Sequence, residues 1–435
     1  MDLAGKTVVV MGMGRSGRSA AALAVAKGAR VVGVDLRPGI EPIPGATLEL
    51  GPHRRETFTS ADLIVVSPGV LPTQPDIVAA EAAGVQVMGE IGFAAEFLDL
   101  PTIGVTGTNG KSTVTWFTGQ LLEAAGMRPF VGGNLGIPLC DAALLETPPG
   151  VLVVEVSSYQ LERAGRFKPK AGVILNLTPD HLARHGDMDG YARAKLRLFE
   201  NMRPDDLAVL PGGDERLRAL GEGMPGSRAW LGELPGVVRS GTRVQVRIPG
   251  RGVLLDLGAF AVPGEHNRDN AATAALLALA VGAPADAVQA ALANLKPLAH
   301  RMEIVAERDG IRWINDSKAT NVDATRVGLA GLGQPAVLLL GGQAKGDGFL
   351  DLAPWLPTTR AIVTFGGSGP AIADELEGGG FAVVRAMDLA DAVRRARTLA
   401  QPGDAVLLSP GCASFDEFND FEHRGRVFRS LVEAG

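Results

Sequence analysis

The chain has 435 residues, 46% of them apolar and 21% charged, with a formal charge of −6 at neutral pH. That length suits about three domains, the composition excludes a disordered chain, and the mild negative charge argues against a protein that coats nucleic acid. Its two cysteines, Cys140 and Cys412, cannot form a disulfide framework or a four-thiolate metal site, and they suit a reducing cytoplasm.

The opening MDLAGKTVVV has no basic stretch leading into an apolar run and a cleavage site, so no signal peptide is expected. No run of about 18 apolar residues is unbroken, so no membrane-spanning segment is expected either. From there, short apolar runs alternate with Ala/Leu-rich helical stretches. The apolar runs are 6–12, 29–35, 61–69, 101–107, 151–158, 171–178, 336–342, 361–367 and 404–411. Continuous apolar strands followed by helices indicate parallel sheets covered on both faces. The expected class is α/β. Between 205 and 263 the strands become shorter and broken by Gly and Pro, which predicts a small mixed β patch inside the middle domain.

The first glycine loop, Gly12-Met13-Gly14-Arg15-Ser16-Gly17, follows a strand and opens a helix, with Asp35 at the end of the next strand. This pattern suits a diphosphate at a helix N-terminus; nicotinamide dinucleotides, other nucleotides and a ligand-free turn all remain compatible with it. The second loop is Gly107-Thr108-Asn109-Gly110-Lys111-Ser112-Thr113. Its amides can wrap phosphate oxygens, Lys111 can reach the β/γ-phosphates, and Ser112 or Thr113 can hold magnesium. The glycine expected six positions before the lysine is replaced by Val105, so the loop is a shortened variant. A dehydrogenase has no need of such a site.

Glu155 and the pair Asp180-His181 follow at strand ends of the same region. A strand-end carboxylate beside a phosphate loop suits magnesium, whereas a histidine is a soft choice for it. Nine of the 42 basic residues are Lys, so each Lys draws notice where Arg would serve as a plain surface charge. Lys195 lies in the helical run GYARAKLRLFENM, where the bland reading is an exposed amphipathic face. Asn267, in GEHNRDN, is a natural helix cap, with Asn270 one turn on. In the last third, WINDSKATN, GGQAKGDG and SPGCASFDEFNDFE follow three strands and would converge on one sheet edge.

In the order GTNGKST, GGN, EVSSYQLE, LNLTPDH, YARAKLR, GEHNRDN, HRMEIV, WINDSKATN, GGQAKG and SPGCASFDEFNDFEHRG, the chain closely resembles the Mur ligases of peptidoglycan synthesis over essentially its whole length. DNPR, associated with diaminopimelate addition, is absent, and the SPGCASFDEFNDF block looks most like the D-glutamate-adding branch.

The resemblance implies three α/β domains. Rossmann-like parallel sheets at 1–93 and 299–435 would flank a central P-loop ATPase-type domain at 94–298. It implies ligation of D-glutamate to UDP-N-acetylmuramoyl-L-alanine with ATP, two Mg²⁺ ions, and a carbamate on Lys195 derived from CO₂. It moves the first loop from NAD to the uridine nucleotide, held by Arg15, Ser16, Asp35, Arg37 and Gly69 with Asn134 and His181. Gly107, Thr108, Asn109, Gly110, Lys111, Ser112 and Thr113 would bind ATP, with Asn267, Asn270, Arg301 and Asp316 at the adenosine. Thr320, Lys345, Ser414 and Phe421 would place D-glutamate. Lys111, Asn134, Glu155, His181 and Lys195 would be catalytic; Ser112, Glu155, His181 and carbamylated Lys195 would serve the metals. A cytoplasmic monomer without nucleic-acid partners is implied. A sister ligase, folylpolyglutamate-type enzymes included, is the nearest alternative; a dehydrogenase or a non-catalytic scaffold leaves GTNGKST or the lysines idle.

Overall fold

The computed structural model describes residues 1–344 and 348–434. Its strands fall into three sheets. The first contains β1 Thr7–Met11, β2 Arg30–Asp35, β3 Ala46–Leu50, β4 Leu63–Val66 and β5 Gln86–Gly89, all parallel, in the order β3-β2-β1-β4-β5. Along β1 the side chains alternate between two cores. Val8 and Val10 pack with Ala20, Ala21 and Leu23 of the helix Arg15–Ala26, whereas Val9 and Met11 pack with Phe58, Ile77 and Ala80. Burial on both faces is what a continuous apolar strand demands.

The central sheet contains β6 Thr102–Thr106, β7 Pro129–Gly133, β8 Val151–Glu155, β9 Ala171–Ile174, β10 Leu207–Pro211, β11 Ser227–Leu231, β12 Gly236–Ser240, β13 Arg243–Ile248 and β14 Arg251–Asp256, in the order β14-β13-β12-β11-β10-β9-β6-β8-β7. The strands of the expected β patch are the edge of this sheet. β10, β11 and β12 continue it in parallel, and β13 and β14 close it as antiparallel strands. The alternation of β13 explains the change: Val244, Val246 and Ile248 are buried and the residues between them are exposed, as for a sheet with one wet face. Among the described residues no helix is long and apolar enough to cross a membrane.

The third sheet contains β15 Glu303–Arg308, β16 Ile311–Asn315, β17 Ala336–Gly341, β18 Thr359–Phe365, β19 Val383–Arg385 and β20 Ala405–Leu408, in the order β15-β16-β20-β17-β18-β19. Only β15 is antiparallel. Leu338 and Leu340 pack with Ile372 and Leu376 on one face, Val337 and Leu339 with Val393 and Phe428 on the other.

The chain divides into two compact units. One holds 1–261 with 269–295, the other 262–268 with 296–435. The first and central sheets therefore share a unit, and a single core cluster runs from Val8 and Phe93 to Leu152 and Phe199. The helix Glu90–Ala95 joins them as packed structure rather than as an exposed linker. Gly92 lies where any Cβ would meet the backbone of Arg163 and Ala164.

Glu90, the first residue of that helix, is buried, and burial pushes its carboxyl from 4.5 up to about 7; the amide of Cys140 opposes the shift and the charge of Asp141 adds to it. The folded state thus prefers the neutral acid. Its penalty is small below the unfolded value, grows as the pH rises toward 7, and levels off above that. Glu90→Gln should therefore stabilise the protein more at high pH, by about 2 kcal/mol more near pH 8 than near pH 5. Calorimetric unfolding at the two pH values checks this, and an equal gain at both would remove the argument.

Candidate active site

The phosphate loop joins β6 to the helix Lys111–Ala124. Val105 stands within β6, which explains the shortened motif: the strand runs on through the position where a longer loop would begin. Gly107 (φ 144°) and Gly110 (φ 85°) adopt backbones that disfavour side chains, and a Cβ on Gly107 would press on Leu175 at 3.0 Å. Asn176, just past β9, ties the turn down. Its Oδ1 accepts from the amides of Thr108 (3.1 Å) and Asn109 (2.8 Å), and its Nδ2 donates to Asn109 O (3.0 Å). Thr108 Oγ1 donates to Thr178 O at 3.1 Å and lies 3.3 Å from Tyr191 Oη. Ser112 and Thr113 are buried in the first helical turn, and Asn270 Oδ1 stands beside Gly110.

Two lysine side chains meet at one carbonyl. Lys111 Nζ donates to Gly107 O (2.9 Å) and Thr108 O (2.7 Å), while Lys195 Nζ donates to the same Gly107 O at 2.8 Å. Lys195 is 1% exposed and lies 4.3 Å from the Tyr191 ring centroid. Burial pushes its amine well below the usual lysine range, and the Lys111 charge pushes it further; Asp180 and Glu155 only partly oppose this. The surface-helix reading of Lys195 is thereby replaced by a buried amine poised toward neutrality.

Glu155, at the end of β8, is 1% exposed. Its Oε1 accepts from Asn134 Nδ2 at 2.7 Å, and its backbone O accepts from Asn134 N at 2.8 Å. His181 has a left-handed backbone (φ 55°), uncommon for a residue with a Cβ. Its Nδ1 lies 2.9 Å from Tyr159 Oη, and its Nε2 lies 3.4 Å from Asp180 Oδ2. Arg184 covers the Tyr159 ring at 4.5 Å, pairs with Glu162, and reaches Val70 O in the first domain at 3.3 Å. The unit thus gathers Lys111, Ser112, Glu155, Lys195 and Asn270 around the loop, with Asn134 held by Glu155 and His181 held by Tyr159 and Asp180. Sequence reasoning passed over Asn176, Tyr159 and Tyr191, although Asn176 lies in the quoted LNLTPDH.

In the first sheet the glycine loop lies where the strand order reverses, between β1 and β4, and Ser67 Oγ donates to Gly12 O at 2.7 Å. A Cβ on Gly17 would run into Gly12 O, so this turn requires glycine there. Asp35 accepts from Met13 N (2.8 Å) and Arg37 N (2.9 Å) and forms a two-pronged pair with the Arg37 guanidinium (3.0 and 2.9 Å). These bonds hold its carboxyl far below the usual range. Both oxygens accept hydrogen bonds from the chain itself, which fixes the carboxylate beside the glycine loop. Arg15 Nη1 donates to Gly136 O at 3.0 Å, Ser16 is half-buried at the helix start, and Gly69 is exposed.

Asn267 falls with the second unit, and the helix Glu265–Ala280 begins before it. Asn267 is therefore not its cap. It lies in the first turn, its Nδ2 reaching back to Pro263 O at 2.6 Å, because Pro263-Gly264 already ends the preceding segment. Asp316 is fully buried; it accepts from Ser409 Oγ (2.9 Å) and Met302 N (3.2 Å), with Arg301 Nη1 at 3.5 Å. Thr320, Ser414 and Phe421 follow β16 and β20 at neighbouring strand ends, Ser414 buried and Phe421 under the Lys318 ammonium at 4.2 Å. Lys345 lies outside the described residues. A residue not singled out, Arg424, is fully buried and binds these loops together. It donates to Ser317 Oγ (2.9 Å), Ser317 O (2.8 Å), Cys412 O (3.0 Å) and Ala413 O (3.2 Å). Burial lowers its guanidinium to about 10.

Three family descriptions match the chain in order: Mur ligase MurD-like, N-terminal domain, over residues 6–89; Mur ligase middle domain over 105–231; and Mur ligase, glutamate ligase domain, over 300–412. The chain belongs to the Mur ligase family.

Among curated Mur ligases, the UDP-N-acetylmuramoylalanine–D-glutamate ligase of Anaeromyxobacter dehalogenans is 45% identical over 99% of this chain and 98% of its own. The enzyme of that name from Desulfatibacillum aliphaticivorans is 40% identical over 100% and 99%. Among solved structures, the UDP-N-acetylmuramate–alanine ligase of Thermotoga maritima matches at a TM-score of 0.63 and 21% identity, over 99% of each chain. The MurF ligase of Thermotoga maritima in complex with ADP matches at 0.62 and 15%, over 100% and 96%. At these identities the structural matches establish the three-domain Mur ligase fold.

Proposed function

We propose that this protein is an ATP-dependent amide ligase that adds D-glutamate to UDP-N-acetylmuramoyl-L-alanine in cytoplasmic peptidoglycan precursor synthesis. The observation that carries the chemistry is the convergence of Lys111 and the buried Lys195 on Gly107 O beside Glu155. The full-length D-glutamate ligase relatives support the choice of substrates.

A carboxylate is a poor acyl donor because its oxygen leaves badly. The acceptor's terminal carboxylate attacks the ATP γ-phosphorus, ADP departs, and an acyl phosphate results. The glutamate amine then adds to the acyl carbon, and the tetrahedral intermediate collapses to the amide by expelling inorganic phosphate, with loss of the amine proton. The reactants are anionic at each step, so charge neutralisation in a water-poor site is the dominant task. Lys111 and the loop amides bind the phosphates. Asn134, held against Glu155, orients the acceptor. Thr320, Ser414, Phe421 and Lys345 place the amino acid, and Arg15, Ser16, Asp35, Arg37 and Gly69 hold the uridine nucleotide. Asn267, Asn270, Arg301 and Asp316 are assigned to the adenosine side.

The donor chemistry fits magnesium. The cation takes one or two carboxylates, hydroxyls, water and substrate phosphates rather than a full protein cage. Among the described residues no cluster of three His, Cys, Asp or Glu side chains is placed to hold a metal, whereas Ser112 and Glu155 offer hard oxygens and His181 a softer nitrogen. When bound there, magnesium neutralises phosphate charge. Lys195 in its neutral form adds to CO₂, giving a carbamate and a proton, which turns an amine of no use to a hard cation into an oxygen donor. Two ions are assigned to this set.

One assay tests the reading. Phosphate release from ATP with the sugar-nucleotide acceptor is expected with D-glutamate, and at least about 100-fold less with L-glutamate, L-alanine or diaminopimelate, because a misplaced amine loses the orientation term. Release driven equally well by another amino acid would assign the chain to a sister ligase.

A further inference from the structure

The short helix Leu139–Ala142 follows the loop that carries Asn134, yet it packs against two helices of the first domain, Arg15–Ala26 and Glu90–Ala95. Side chains of that domain grip it. Ser19 Oγ donates to the Asp141 carboxylate, and Glu90 Oε1 accepts from Cys140 N at 2.7 Å. Arg15 holds the preceding loop at Gly136 O. At its other end the same segment holds Asn134 against Glu155.

Glu90 is costly where it stands. It is 2% exposed, and its Oε2 is buried with no partner among the described residues. A buried carboxyl half-satisfied in this way stabilises a fold less than an apolar side chain of equal volume would. Its hydrogen bonds go to the start of a four-residue helix, which has little stability of its own to offer in return. It also borders a narrow cleft with Ser67, Tyr159, Gln160 and Arg184; of these, Ser67 holds Gly12 O, Arg184 reaches Val70 O, and Tyr159 meets His181. The position of this carboxyl makes sense as alignment.

We propose that Glu90 is a positioning residue: with Ser19 it clamps the helix Leu139–Ala142 to the N-terminal sheet and so sets where Asn134 stands beside Glu155 when the sugar nucleotide is bound. The functional half of this rests on the ligase reading above. A glutamine keeps the acceptor oxygen for Cys140 N, and a methionine of similar volume removes it. The clamp touches the nucleotide-sugar side of the site and leaves the phosphate loop alone.

The test compares Glu90→Gln, Glu90→Met and Ser19→Ala by steady-state kinetics in the full chain. Glu90→Met should raise KM for UDP-N-acetylmuramoyl-L-alanine about tenfold, while KM for ATP stays within about twofold. Ser19→Ala should raise the same KM about threefold, and Glu90→Gln should restore it to near the wild-type value. A rise in both KM values together, an unchanged KM in Glu90→Met, or a Glu90→Gln as impaired as Glu90→Met would each overturn the proposal. If Glu90→Met does not fold, the split is read from Ser19→Ala, where an unchanged acceptor KM overturns it. A wild-type protein without ligase activity would defeat the ligase reading instead. Hydrogen exchange at the Cys140–Ala142 amides still reads the clamp in that case: faster exchange in the methionine than in the glutamine variant supports it, and equal rates refute it.

Discussion

Lys195→Ala is expected to lower D-glutamate-dependent phosphate release by about 100- to 1,000-fold, the usual effect of removing one group that stabilises developing charge. Formate or acetate at high concentration should restore part of that activity, because either supplies the oxygen donor that the carbamate would provide. Lys195→Arg should fare no better than alanine. A guanidinium stays charged at any working pH and cannot add to CO₂, whereas the buried Lys195 amine is pushed toward its neutral form by desolvation and by Lys111. Depleting dissolved CO₂ should slow the wild type and leave the rescued alanine variant indifferent. Rescue that fails with every small carboxylate, in a variant that still binds ATP, would remove the carbamate and leave Lys195 as a structural cation.

Lys111→Ala should cost a comparable factor, about 100-fold or more in kcat, and Lys111→Arg should recover little of it. The ammonium is held between Gly107 O and Thr108 O, both supplied by the same tight turn. A compact point charge fits between those carbonyls and can move from them to a phosphate oxygen. A planar fork is larger and matches neither position. Pre-steady-state phosphate release separates the chemical step from product release. An arginine variant with near wild-type burst amplitude would show that any cation at this position suffices.

How much of this was legible in the chain can be judged residue by residue. The two glycine loops were readable because each depends on a strand, a turn and a helix within about a dozen residues, and periodicity carries that information. The β patch was visible as a change of pattern, but its place at the edge of the central sheet was not, since strand order depends on partners far along the chain. Asn267 looked like a cap because Asn is favoured there, yet the helix starts two residues earlier at Glu265. Asn176, which bonds two amides of the phosphate loop, sat inside a recognised motif but looked like any polar residue after a strand. Glu90 and Arg424 carried no local signal, because charged residues are mostly exposed and nothing nearby marks these two as exceptions.

By itself, the amino-acid order determined the α/β class, the glycine-rich turns and the family motifs, all of which follow from short-range pattern and from the donors and acceptors each residue brings. Only the tertiary structure decided that Lys195 is buried against Gly107 O, that Asp35 pairs with Arg37, and that Glu90 reaches the helix beyond Asn134. Dielectric environment, and with it the protonation of an amine or a carboxyl, is set by atoms that arrive from distant parts of the chain. It comes into being when the layers pack and water leaves.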